Sequence, residues 1–347
     1  VSHTKVHGIH FDQLSDWTAG TQVHAGARLI SLQDGRERGV RVVEMRSGSG
    51  LEIEVIVDGN GDLGRLTYQG KTLSWHTPQG LCSPWQMNPE SSNGQGFLQG
   101  VGGLLNTCGL DHIRQPDTET RFNVDSDKHY NAVYPLHGGG AFQPAILRGY
   151  GVVEDVDVPY VYCEAEFTQT IPLVTTLKLQ RRIEMEIGSN KITLSDKVTN
   201  VGRHASSHMM LYHFNLGFPL IAPGSYIDIP NRQLIWQSFE HNSLAAYSPP
   251  EPNNVDKLSV FKNMGHKAKA AVINPELGLC LSIYYDPVEL PYCQVLRMEA
   301  PGHYGVGIEP CTTGYRNRKE AFENGEVAIL ERGESRTYSI SLTLEHI

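Results

Sequence analysis

Apolar and polar positions alternate with a period of two along most of the chain from about residue 40 onward. That is the spacing of strands that bury one face. Gly39–Gly61 reads as two such strands joined at Gly48-Ser49-Gly50, and Leu63–Trp75 as a further hairpin turning near Gln69-Gly70. The pattern continues through Tyr160–Thr170, through Thr175–Asn200 with its turn at Gly188-Ser189-Asn190, and through Ser206–Gly217. After a proline-rich loop at Ser248–Pro252 it resumes in Lys267–Pro287, Cys293–Pro301, His303–Pro310 and the terminal Arg336–His346. Helical spacing is scarce. Gly96–His112 has apolar residues near that spacing but five glycines, so it reads as a short helix or a tight loop. Asn317–Gly325 is a better short helix, closed by Gly325. Many strands and few helices predict an all-β, antiparallel, sheet-on-sheet architecture. We read residues 1–347 as a single domain, with residues 1–40 as an edge extension.

Within this pattern one strand is unusual. In Tyr304–Glu309, Tyr304, Val306 and Ile308 share an apolar face. Gly305, Gly307 and Glu309 share the other, which holds two gaps and a carboxylate. Pro310 ends the strand, so the acid sits at a strand end, where binding residues concentrate. The reading is that a ligand occupies the cleared face. In the strand around His213, Met210, Tyr212 and Phe214 form a core face, so His213 projects from the opposite side with Leu211 and Asn215. His137 precedes three consecutive glycines, which permit close approach of another chain or a ligand. Arg65 follows Gly64 at the start of an alternating strand and carries a planar fork suited to sugar oxygens.

Composition narrows the class. The net charge of −9 without a Lys/Arg cluster argues against nucleic acid as a partner. No apolar run is long enough to span a bilayer. The six cysteines, at 82, 108, 163, 280, 293 and 311, contain no C-x-x-C pair, which disfavours a zinc site and points to a reduced, cytoplasmic setting. Val1-Ser2-His3-Thr4 has no apolar signal core, and the missing initiator Met leaves a processed or trimmed start open. Two histidines and a glutamate suggest an acid–base set without a metal; His137, His213 and Glu309 are also three residues of metal-ligand type, but no close pair such as H-x-H anchors such a site. No G-x-S-x-G motif supports a serine hydrolase.

Taken in order, "YPLHGG", "YHFNLG" and "GIEP" resemble the aldose 1-epimerase (galactose mutarotase) superfamily. "GRLTYQGKTLSW", "GLLNTCGLDH" and "LYHFNLGFPL" are similar to its DUF4432 branch, and the resemblance runs from about Gly61 to the C-terminus. It implies an antiparallel β-supersandwich with a sugar site on a sheet face, and cofactor-free interconversion of the anomers of a free sugar or sugar derivative. It assigns Glu309 as the base at the anomeric hydroxyl, His213 as the acid at the ring oxygen, and His137 as a second histidine near that oxygen. It assigns Arg65 to substrate contact and offers Asp111 or Asp228 as the sugar-binding aspartate. Trp75, Trp85 or Tyr304 would supply a stacking surface. One departure is that His213 directly precedes Phe214-Asn215-Leu216, where the family has a spacer. Two alternatives stand beside the isomerase: a non-catalytic carbohydrate-binding protein, and a glycoside hydrolase or lyase using Asp111 or Asp228 as a second carboxylate. The sequence leaves the oligomeric state open, a homodimer included.

Overall fold

Strands that alternate in sequence pair into antiparallel sheets of five, eight and seven strands. The computed structural model describes residues 4–123, 127–171, 174–240, 242–315 and 317–347. The five-stranded sheet runs Gly26–Ser31, Arg41–Arg46, Leu51–Ile56, Asp62–Tyr68, Lys71–Thr72. Two of its four connections lie where alternation breaks, at residues 48–50 and 69–70. Within the first 40 residues, Gly26–Ser31 is the edge strand, paired to Arg41–Arg46. Residues 1–3 lie outside the described residues. The eight-stranded sheet is built around four long neighbours, Tyr160–Ile171, Thr175–Glu186, Lys191–Asn200 and Ser335–His346.

The seven-stranded sheet carries His213 and Glu309. Its strands are β1 (Leu105–Leu110), β2 (Ser206–Gly217), β3 (Arg232–Gln237), β4 (Lys257–Asn263), β5 (Tyr292–Ala300), β6 (His303–Cys311) and β7 (Ala328–Leu330). In space the order is β3-β4-β5-β6-β2, with β1 and β7 both pairing to β2. The segment Gly96–His112 therefore departs from the expected helix or tight loop. Gly96–Gln99 forms a single 3-10 turn, and Leu105, Cys108 and Leu110 belong to β1, buried along its whole length. The short helix does form, over Arg318–Glu323, and Asn317 caps it by accepting from the Glu320 N–H at 2.9 Å.

The main core lies between the seven- and eight-stranded sheets. Met210, Tyr212 and Phe214 of β2 and Val306 and Ile308 of β6 meet Leu179, Ile183, Leu194 and Ile340 there. Burying each such side chain contributes about 1.5–3 kcal/mol. The core also holds charge. Arg181, with no exposed side chain, pairs with Asp196 and Asp62 at 2.6 Å each. Tyr212 donates to Asp196 at 2.8 Å, and Arg181 donates to Thr107 Oγ1 at 2.8 Å. Tyr212 and Thr107 are the chain neighbours of His213 and Asn106, so this ion cluster fixes β2 and β1 from behind. A second apolar cluster covers the opposite face of the seven-stranded sheet, with Cys108, Leu211, Cys311, Tyr292 and Val260 beneath Phe97, Ile113 and Leu136. All six cysteines are buried and free. Among the described residues no helix is long and apolar enough to cross a membrane.

Candidate active site

Strand register assembles the site. The pairs Phe214↔Ile308 and Asn215↔Gly307 align β2 with β6, and the same register sets His213 against Glu309. Asn106 of β1 is opposite His213, and Gln294 of β5 is opposite Glu309. Directly opposed residues project from the same face of a sheet. Asn106, His213, Glu309 and Gln294 thus form one row across four strands, on the face turned away from the main core.

The row is bonded from one end. His213 Nε2 lies 3.3 Å from Glu309 Oε1. The approach is close but not aligned as a hydrogen bond, since Glu309 Oε1 and His213 Nδ1 are both buried without a partner. Glu309 Oε2 accepts from the Gln294 side-chain amide at 2.5 Å. Gln294 Oε1 in turn accepts from Arg114 Nε at 3.0 Å. A guanidinium can only donate, so Arg114 fixes which end of the Gln294 amide faces Glu309. Arg114 is itself anchored by the carbonyls of Thr313, at 2.6 Å, and Tyr315. Glu309 has no exposed surface, and a carboxyl group so placed requires hydrogen-bond partners such as this amide.

His137 enters from a loop. Its backbone has φ +62, its N–H donates to the Arg114 carbonyl, and its carbonyl accepts from Gly109 N–H, both at 2.8 Å. Gly138 follows at φ +87, where a Cβ would lie 2.3 Å from the Gly109 carbonyl oxygen and 2.4 Å from that of His112. Only glycine passes this close to β1. His137 Nδ1 accepts from the Arg114 backbone N–H at 3.3 Å, which leaves the ring proton on Nε2. Burial, reinforced by His213, His112 and Arg114, holds the His137 pKa well below the ordinary imidazole value, so this ring is neutral at physiological pH. The His137 and His213 rings stand perpendicular with centroids 5.7 Å apart, and Phe97 packs on both at 4.8 and 6.2 Å. Glu309, His213 and His137 therefore come together.

The two glycines of β6 clear space, but not directly for a ligand. A Cβ on Gly307 would lie 2.8 Å from Glu309 Oε1 and 2.9 Å from the His213 ring. One on Gly305 would lie 2.8 Å from Trp75 Cδ1. Protein side chains fill the gaps, so the glycines admit the chemistry-bearing groups rather than forming the floor for a sugar. Trp75 belongs to this face, edge-on to His303 at 5.6 Å. It packs four residues up the strand from Glu309, roughly 13 Å away.

Other sequence candidates lie elsewhere. Arg65 sits on the five-stranded sheet with its side chain 57% exposed and Glu54 3.9 Å away, because that position faces solvent. Asp111 is buried beyond the end of β1, where its carbonyl accepts from Arg318. Asp228 is in a short strand, Tyr226–Asp228, of the eight-stranded sheet. Neither aspartate joins the row. Among the described residues no three His, Cys, Asp or Glu side chains are grouped to hold a metal ion. Of the stacking candidates, Trp85 is 67% exposed, and Tyr304 is turned away, donating to the Ser248 carbonyl at 2.6 Å.

Sequence reading missed Asn106, Gln294 and Arg114. Gln294 had a signal: it lies between Cys293 and Val295, both core residues, and so faces the same side as Glu309. A cavity of about 420 Å³ opens onto His137, Gln294 and Arg114 and runs to Trp236 and Gln237. A larger depression of about 970 Å³ lies among Asp12, Glu154, Asp155, Asp157 and Glu186. It is remote from the histidine–glutamate group.

The sequence matches the family described as a domain of unknown function, DUF4432, over residues 37–344. No match is found among curated proteins. Among solved structures, a candidate aldose 1-epimerase from Klebsiella pneumoniae is similar at 23% identity and TM-score 0.81, covering 97% of this chain and 87% of that one. A galactose mutarotase-like protein from Clostridium acetobutylicum is similar at 15% identity and TM-score 0.66, covering 94% and 100%. A galactose 1-epimerase from Lactobacillus acidophilus is similar at 12% identity and TM-score 0.59, covering 92% and 98%. The fold is the antiparallel β-supersandwich of galactose mutarotase type.

Proposed function

This chain belongs to the DUF4432 family, and from that premise we propose that it is a cofactor-free aldose 1-epimerase acting on a free sugar or sugar derivative, with residues 1–347 working as one domain. The observation that carries this reading is Glu309 Oε1, buried without a donor and 3.3 Å from His213 Nε2. A base and an acid side by side match a hemiacetal, whose anomeric hydroxyl and ring oxygen share one carbon. Glu309 takes the proton from the anomeric hydroxyl. The C1–ring oxygen bond breaks, the ring oxygen takes a proton from His213, and C1 becomes an aldehyde carbon. Rotation about C1–C2 presents the other face. The ring oxygen then adds to C1, returning its proton to His213, and the new hydroxyl takes the proton back from Glu309. His137, neutral with its proton on Nε2, steadies the ring oxygen as a hydrogen-bond donor. Gln294, held by Arg114, keeps the carboxylate of Glu309 oriented.

One observation favours sugar binding without turnover: Glu309 is fully buried, and the adjoining cavity is lined by His137 and Gln294 rather than by Glu309 itself. The hydrolase and lyase reading loses its support, because neither Asp111 nor Asp228 supplies a second carboxylate in the row. Exchange spectroscopy by NMR on a panel of aldoses separates the first two readings. Epimerase activity gives anomer exchange above the buffer rate, whereas a binding protein gives saturable line broadening alone.

A further inference from the structure

The row that holds Glu309 does not stop at Gln294. Gln294 is opposite Val260 of β4, and Val260 is opposite Trp236 of β3. A bulge between Leu234 and Trp236 makes the last pairing. In an unbroken register Ile235 would take that place. Bulges commonly re-aim a side chain beside a functional site. Here the bulge turns Trp236 onto the histidine–glutamate face, where it packs against the cluster containing Val260. The indole is fixed in that pose, since its N–H donates to the Gly314 carbonyl at 2.9 Å. Ser238, two residues along, shares that face and lines the same cavity, while Gln237 between them pairs with Ser259 and turns to the other face.

Three strand spacings separate Glu309 from Trp236, roughly 14 Å. One pyranose ring engaged at Glu309 does not reach that far, whereas two linked rings do. The cavity that runs from His137 and Gln294 to Trp236, about 420 Å³, is of the size that small-molecule sites have. A half-buried aromatic with a hydroxyl group at its edge is the surface chemistry that takes a sugar ring, an apolar face rimmed by hydroxyls. We propose that the substrate is a reducing disaccharide, its reducing ring at Glu309, His213 and His137 and its second ring stacked on Trp236 beside Ser238.

This inference rests on the epimerase reading, and its test keeps the two apart. Anomer exchange is measured by NMR for glucose and galactose against maltose, cellobiose, lactose and melibiose. At least one disaccharide is expected to exceed its component monosaccharide in kcat/KM. Trp236→Ala is expected to lower the disaccharide-to-monosaccharide ratio of kcat/KM roughly tenfold, with Ser238→Ala moving it the same way. Ser238→Ala removes an exposed hydroxyl just past the end of an edge strand, so it reports even where loss of the indole unfolds the protein. Exchange of monosaccharides with no disaccharide preferred, or a ratio untouched by both variants, overturns the second-ring site and leaves the epimerase reading standing. No exchange of any sugar overturns both.

Discussion

Gln294 faces Glu309 from the opposed position on the neighbouring strand, and its amide donates to Glu309 Oε2 at 2.5 Å while its carbonyl oxygen accepts from Arg114. The charge of Arg114 thus reaches the carboxylate through an oriented amide rather than as a direct ion pair. Gln294→Leu removes both bonds with little change in volume. It is expected to lower kcat roughly a hundredfold, the usual loss for one oriented donor at a reacting group. The check is the exchange rate beside a thermal melt. A variant that is folded and fully active would show that Glu309 needs no such support.

Gly307 tests the space the site requires. Its Cβ would lie under 3 Å from both Glu309 Oε1 and the His213 ring, at a backbone position that is otherwise unstrained. Gly307→Ala is expected to displace those two side chains and cost at least a hundredfold in exchange rate, against roughly 1–3 kcal/mol in stability from overpacking. Denaturant unfolding and NMR exchange on the same preparation separate the two effects.

Acid weakens this fold through its buried histidines. His112 and His208 are both lowered to about 4, burial being the leading cause in each. His208 is fully satisfied as a neutral ring, between the Leu110 carbonyl and the Tyr338 hydroxyl. Below the ordinary imidazole value of 6.5 the unfolded chain binds protons that the folded chain refuses, so stability rises with pH across this window. It is therefore full above about pH 6.5 and is lost on descending toward pH 4, by up to about 3 kcal/mol per histidine. His137 is shifted in the same direction. Urea titrations from pH 7 to pH 4.5 should show the decline, and His208→Gln should flatten it. A stability constant across that range contradicts the assignment.

Alternation along single strands carried much of this site. It put Glu309 on the face opposite Val306 and Ile308, and His213 opposite Tyr212 and Phe214, which is where they lie. It also set the turns at residues 48–50, 69–70 and 188–190. What it could not carry was register between strands far apart in sequence. Arg114 and Gln294 are separated by 180 residues, and Asn106 and His213 by 107, so their meeting is a property of sheet order alone. Gly96–His112 misled because a fully buried strand loses the polar half of its alternation, and its apolar spacing then imitates a helix. Arg65 misled because nothing within its own strand distinguishes a solvent-facing arginine from one facing a ligand.

The central claim is that Glu309 is the base that opens the sugar ring. Glu309→Gln keeps the shape and the polar contacts of the side chain but removes its capacity to take a proton. Anomer exchange by NMR, with sugar binding followed on the same sample by titration calorimetry, tests the claim most directly. The exchange rate is expected to fall roughly a thousandfold toward background, with binding retained. Exchange at the wild-type rate in a folded Glu309→Gln protein would contradict it.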